Sequence, residues 1–214
     1  MKSFVHWRFL VGFCLLAVAG HGFGQALDDM FAAVKNNDLP TVERLLQRGI
    51  DANSSDVRGD TLLILAAREG HEAVLNRLLA ARARVNAVNG VGETAIMLAA
   101  FKGNLGAVKR LQAAGAELNP SGWTPLLYAA YEGRTEVCRF LLSSGAQVDA
   151  PAPNGASPLM IAARQGHLET VRALLWEHAD PAYKLDTDAT ALQWAAKAGH
   201  KAIVELLRQA GAKE

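Results

Sequence analysis

Apolar and small residues fall along this chain in a pattern that returns about every 33 residues. A hydroxyl residue opens each copy, a short apolar run follows, then an Ala-Ala pair and a glycine. The phrase stands at residues 61–70 (TLLILAAREG), 94–103 (TAIMLAAFKG), 124–133 (TPLLYAAYEG), 157–166 (SPLMIAARQG) and 190–199 (TALQWAAKAG). Successive copies are offset by 33, 30, 33 and 33 residues. One period before Thr61 lies Asp28, where LDDMFAAVKNND is a worn version of the same phrase. A fixed period in this range predicts a solenoid, because one short unit cannot bury its apolar face without a stacked neighbour.

Each copy predicts two short helices. The opening Thr or Ser is a natural N-cap, its hydroxyl accepting from a backbone N–H that has no helical partner. Pro125 and Pro158 come next, where the missing N–H costs nothing. The alanine pairs allow close approach of neighbouring helices. Gly70, Gly103, Gly133, Gly166 and Gly199 then end the first helix with a residue that tolerates positive φ. The second helix carries Leu-Leu pairs, from Leu45-Leu46 to Leu206-Leu207, with Val42, Val74, Val108, Val137, Val171 or Ile203 on the same face. Gly49, Gly115, Gly145 and Gly211 close it, while Arg82 and His178 hold that slot in two copies. Each of those two is expected to cost about 1 kcal/mol if it keeps the left-handed backbone.

The first 26 residues have another character. Lys2 and Arg8 precede the apolar run FLVGFCLLAVA at residues 9–19, and Gly24 and Ala26 supply small residues before Leu27. This layout predicts a secretory signal peptide over residues 1–26, cut ahead of Leu27. An uncleaved anchor and a cut after Ala19 are the alternatives, but an 11-residue run falls short of the roughly 20 apolar residues that span a bilayer. After cleavage no membrane attachment is expected. The predicted location is the periplasm, or the outside of the cell.

Charge narrows the partners. The whole chain has formal charge +1, and without Lys2 and Arg8 the count is 20 basic against 21 acidic residues. That balance argues against nucleic acid as a partner. Past residue 26 only Cys138 remains, so no internal disulfide is expected. Its place in the stripe EVCRFLL predicts a small packed apolar residue rather than a reactive thiol.

The order Gly-x-Thr-Pro-Leu, Ala-Ala, Gly-His, Leu-Leu, Gly-Ala, Val-Asn resembles the ankyrin repeat, over residues 27–214 in about six copies with the first degenerate. The resemblance implies an all-α solenoid of antiparallel helix pairs, with hairpin-like fingers along one side, and a role in protein recognition. Some small periplasmic members of that kind are linked to protection against peroxide, although no residue here is equipped to destroy peroxide. The family's histidine after Pro-Leu is replaced by Ile64, Met97, Leu127, Met160 and Gln193. The finger before Thr124 is three residues short at Asn119–Ser121, and Asp188 takes the place of a finger glycine.

No set of catalytic residues emerges. His71, His167 and His200 share one phase of the repeat, but equivalent positions lie about 10 Å apart per repeat and cannot converge on one ion. They are expected to brace loops. No zinc spacing, phosphate loop or nucleophile elbow occurs, and Asp60 and Glu93 are read as solvated turn carboxylates. Neither enzyme activity, nor a metal, nor a cofactor is expected. The positions least fixed by the repeat carry the binding expectation instead. Phe101, Trp123, Tyr128 and Tyr131 gather in the middle copies, with Arg68 and Arg164 at their margins. Aromatic residues and arginine dominate interface hot spots. These six are the candidate partner-binding residues; the alternative is that the rings merely cover the alanine-rich groove. Trp176 and Trp194 are assigned to packing or to the outer surface. The expectation is an exported monomer that binds a protein partner on its concave face. The second reading is an inhibitor or immunity-type protein that blocks an enzyme or toxin.

Overall fold

A computed structural model describes residues 24–212. Among these the regular elements are all helices, joined by turns and fingers, without a strand. The helices are α1 (24–35), α2 (Leu39–Gln47), α3 (Leu62–Glu69), α4 (Glu72–Ala80), α5 (Ala95–Lys102) and α6 (Leu105–Ala113). They continue as α7 (Pro125–Tyr131), α8 (Thr135–Ser143), α9 (Pro158–Gln165), α10 (Leu168–Trp176), α11 (Ala191–Ala198) and α12 (Lys201–Gln209). The odd-numbered helices from α3 onward stack as an inner row and the even-numbered ones as an outer row. The signal segment lies mostly outside the described residues. The expected cut ahead of Leu27 falls within α1, whose Ala26 packs into the core.

The inner helices form because their ends are specified and their middles are apolar. Oγ1 of Thr61 accepts the N–H of Ile64 at 3.2 Å, Thr124 that of Leu127 at 3.2 Å, and Ser157 Oγ that of Met160 at 3.3 Å. Thr190 does the same for Gln193, and the Gln193 side chain returns a bond to the Thr190 N–H at 3.2 Å. Thr94 is the exception. Its hydroxyl is buried without a hydrogen-bond partner, while its N–H faces Met97 Sδ at 3.3 Å. Gly70, Gly103, Gly166 and Gly199 close their helices in the left-handed region. In the fourth copy α7 stops one residue earlier, at Tyr131, and Gly133 keeps φ +67°.

Both alanines of each pair are fully buried from Ala66-Ala67 to Ala162-Ala163, as inner helices in near contact require. Ala195 is buried and Ala196 exposed, since no further inner helix covers it among the described residues. The outer helices are amphipathic, turning Val74, Leu75 and Leu78 or Val137, Cys138 and Leu141 inward. Burial pushes the Cys138 thiol up to about 12, so it is protonated and inert at neutral pH. Arg82 and His178 do keep the left-handed backbone, with φ +62° and +64°, and so does Asp188 at +60°.

Two ladders of side chains tie the repeats together. In the first, the residue after each inner-helix glycine reaches a backbone carbonyl of the preceding repeat. His71 pairs with Lys35 O at 3.0 Å, Asn104 with Ala67 O at 3.1 Å, and Arg134 with Phe101 O at 3.1 Å. His167 pairs with Tyr131 O at 2.9 Å, and His200 with Arg164 O at 3.1 Å. The histidines therefore brace the stack, as their phase predicts. The second ladder lies under the fingers, where Asn53, Asn86 and Asn119 accept the N–H groups of Arg84, Glu117 and Gln147. Asp149 continues it towards Asp180 N, at 3.2 Å from each of its oxygens.

Candidate functional site

Two residues per inner helix, one turn apart, face the groove between the helix row and the fingers. One column is Leu65, Leu98, Tyr128, Ile161 and Trp194; the other is Arg68, Phe101, Tyr131, Arg164 and Lys197. A third column, at the base of the fingers, is Asp60, Glu93, Trp123, Ala156 and Ala189. Leu65, Leu98, Ala156 and Ile161 are buried in the core, whereas Trp123, Tyr131, Arg164 and Lys197 are exposed.

In the middle of the groove four rings meet. Phe101 stacks on Tyr131 with centroids 6.5 Å apart and lies edge-on to Tyr128 at 6.1 Å. Trp123 packs against Tyr128 at 5.3 Å and edge-on to Tyr131 at 6.5 Å. Tyr128 and Phe101 are partly covered, whereas Trp123 and Tyr131 remain 37% and 41% exposed. The cluster is thus both a cover for the alanine floor and an exposed apolar surface. The short finger explains why Trp123 stands open. The other fingers close with a backbone bond across the tip, from Asp56 N to Asp60 O, Asn89 N to Glu93 O, Ala152 N to Ala156 O and Leu185 N to Ala189 O. The loop at Asn119–Trp123 has lost three residues and makes no such bond.

Towards the carboxyl-terminal end a concavity of about 370 Å³ opens beside the rings, lined by Trp123, Tyr131, Asn154, Ile161, Arg164, Gln165 and Trp194. The Arg164 guanidinium lies over the Trp194 ring, 5.2 Å from its centroid. A second hollow shares Arg164 and Trp194 and extends to Lys197 and Ala198. A larger concavity of about 590 Å³ lies at the amino-terminal end, around Leu27, Phe31, Lys35 and Val57. It holds none of the clustered rings.

The amino-terminal half of the finger column is polar and internally satisfied. Asp60 is 3% exposed, which corrects its reading as a solvated carboxylate. Arg68 Nη1 meets it at 2.9 Å, Arg58 Nη2 at 3.2 Å, and Asn89 donates to it at 2.9 Å. Glu93 is likewise engaged, accepting from Asn89 and, at 2.9 Å, from the Tyr128 hydroxyl. Burial first, and that bond second, push the Tyr128 phenol above the ordinary tyrosine range, so it stays a donor.

The six candidate residues separate accordingly. Phe101, Trp123, Tyr128 and Tyr131 form one cluster, and Arg164 borders it through the shared concavity. Arg68 is committed to Asp60 and Glu69 and belongs to the polar half. Trp176 is 78% exposed on outer helix α10, as expected of an outer-surface residue. Trp194 packs against the core, as its packing assignment has it, and it also lines the groove, which that assignment does not include. The signal was present, because Trp194 occupies the same phase as Tyr128 and Ile161. Among the described residues no cluster of three His, Cys, Asp or Glu is placed to hold a metal ion, and no helix is long and apolar enough to cross a membrane.

The comparisons agree with this geometry. The family model described as "Ankyrin repeats (3 copies)" matches residues 30–117, 74–152 and 147–214, and so nearly the whole described chain. The chain belongs to the ankyrin-repeat family. Among solved structures the human ASB11 ankyrin repeat domain is similar, with a TM-score of 0.81 and 25% sequence identity, over 86% of this chain and 84% of that one. In all, 549 solved chains match, so the likeness identifies an architecture shared by many proteins. No curated protein sequence matches. Ankyrin repeats are protein–protein interaction modules, and the fold is typically non-catalytic.

Proposed function

We propose that this ankyrin-repeat protein is an exported, non-catalytic binding protein that docks a partner on the ring cluster of its groove. The observation that carries the reading is the open face of Trp123 and Tyr131 beside a concavity completed by Arg164 and Trp194. Large rings left half exposed on a rigid floor bury much area on contact and lose little conformational freedom. The ring cluster supports a hot spot of this kind, and the helix stack beneath it supports binding without rearrangement.

Export rests on the apolar run at residues 9–19 and the small residues before Leu27. The protein then acts in the periplasm, or outside the cell, as a monomer. A part in stress protection is compatible with that place. An inhibitor of an enzyme or toxin would use the same surface.

Site-specific photo-crosslinking tests the docking reading. A crosslinker placed at Gln165, exposed at the rim of the concavity, should capture the partner in the compartment where the protein resides. One placed at exposed Arg172 on the outer helix should not. Equal capture from both would remove the case for the groove. Intact mass of the recovered protein tests export, and a chain retaining Met1 would contradict it.

A further inference from the structure

On the reading that this groove docks a partner, we infer that it takes an acidic segment, one carboxylate beside an aromatic or large apolar side chain. The inference comes from how charge is distributed along the groove. In the amino-terminal half every carboxylate on the finger column is already matched, Asp60 by Arg58 and Arg68, and Glu93 by Asn89 and Tyr128. Glu132, next to the ring cluster, is matched by Arg134 at 3.4 Å. In the carboxyl-terminal half the balance is different. Arg164 and Lys197 follow one another in the same groove column, and among the described residues neither has a carboxylate within 4.0 Å. The finger column beside them turns from Asp60 and Glu93 to Trp123, Ala156 and Ala189. The surface there sets the rings of Trp123, Tyr131 and Trp194 beside the polar Asn154 and Gln165, with two cations that have no carboxylate partner.

Arg164 is also held in place. Its guanidinium rests on the Trp194 ring, and its backbone carbonyl is held by His200 at 3.1 Å. A guanidinium over a ring keeps its N–H groups free to donate, and its forked donors suit two-point recognition of a carboxylate. The same stacking argues against a cationic ligand. Aromatic faces attract cations, but here Arg164 already covers the Trp194 face and, with Lys197, repels a second positive charge. An apolar side chain next to the bound carboxylate would lie on Trp123 and Tyr131, inside the same concavity.

The test uses short synthetic peptides on one Gly/Ser frame, with Glu-Phe, Gln-Phe, Lys-Phe or Glu-Ala at the centre. Binding to the protein is read from the indole N–H resonances of Trp123, Trp194 and Trp176. The Glu-Phe peptide should move the first two and leave Trp176 unchanged. Gln-Phe, and Glu-Phe with Arg164→Gln protein, should bind at least about tenfold more weakly, the scale of one charge-assisted contact. Lys197→Gln should weaken Glu-Phe by a smaller factor. Equal binding of Gln-Phe or Lys-Phe, or no effect of Arg164→Gln, would overturn the acidic preference while leaving the groove as a docking site. Failure of all four peptides to move Trp123 or Trp194 would overturn it as well. The docking reading itself would still stand or fall on the true partner's response to Trp123→Ala.

Discussion

Nε2 of His167 lies 2.9 Å from the carbonyl oxygen of Tyr131, thirty-six residues back in the chain and one repeat away. A loop residue of one repeat thus holds the backbone of a groove residue in the repeat before it. Arg134 does this for Phe101 and His200 for Arg164. The exposed side chains of the groove therefore project from a backbone fixed on both sides, by the alanine packing beneath and by these braces at the helix ends. A binding surface built this way needs little ordering when a partner arrives.

The brace also explains a glycine. Gly133 has φ +67°, and a Cβ added there would sit 2.5 Å from the His167 ring. Gly199 has a similar backbone, φ +81°, but open space around it. Gly199→Ala should cost about 1 kcal/mol, the penalty of a side chain in the left-handed region. Gly133→Ala should cost about 1 kcal/mol more, because the ring must leave the Tyr131 carbonyl. Urea unfolding of both variants checks the difference, and equal losses would mean that the His167 contact contributes nothing.

Asp149 is the flaw in the asparagine ladder under the fingers. Asn86 and Asn119 each accept one backbone N–H and donate to a second carbonyl, Gly115 O and Gly145 O. A carboxylate cannot donate, and Asp180 lies beside it. Burial raises the Asp149 carboxyl above its ordinary 3.8, with the charge of Asp180 adding to the shift and the hydrogen bond from Asp180 N opposing it. A carboxyl raised in the folded state costs stability above its folded value, and that cost fades as pH falls through that value towards 3.8. Asp149→Asn should therefore stabilise the protein by about 1 kcal/mol at neutral pH. The gain should shrink as the solution is acidified. Thermal melts across pH would show it, and a gain that grows in acid would contradict the assignment.

Arg82 and His178 stand where four other copies have glycine, and both hold a positive φ. Replacing either by glycine should raise stability by roughly 1 kcal/mol, because the left-handed backbone is kept and its Cβ penalty removed. The two sites lie in separate repeats, so the gains should add. Chemical denaturation of the single and double variants tests this.

The fold was legible because its determinants are local and repeated. The capping hydroxyls, alanine pairs and glycines each act within one helix or between adjacent ones, and their 33-residue phase survives in the chain. The groove was only partly legible. Phe101, Trp123, Tyr128 and Tyr131 could be grouped because they lie in adjacent copies. Trp194 shares the Tyr128 phase but lies two repeat steps beyond it, and its contact with Arg164 of the adjacent copy depends on how the two inner helices pack. Asp60 was misread for a related reason. Its burial depends on Arg68, folded back from its own inner helix, and on Asn89 from the next finger, which reaches it only once the units are stacked.

The affinity of Trp123→Ala for the captured partner, measured beside Trp176→Ala, tests the central claim most directly. Trp123 stands at the ring cluster and Trp176 is 78% exposed on the outer helix row. The account predicts that Trp123→Ala weakens binding by about 2 kcal/mol or more, roughly thirtyfold, with its melting temperature nearly unchanged. Trp176→Ala should bind like the parent. Unchanged affinity of Trp123→Ala together with a marked loss of stability would contradict the account, and would make Trp123 a cover for the core rather than the place where a partner docks.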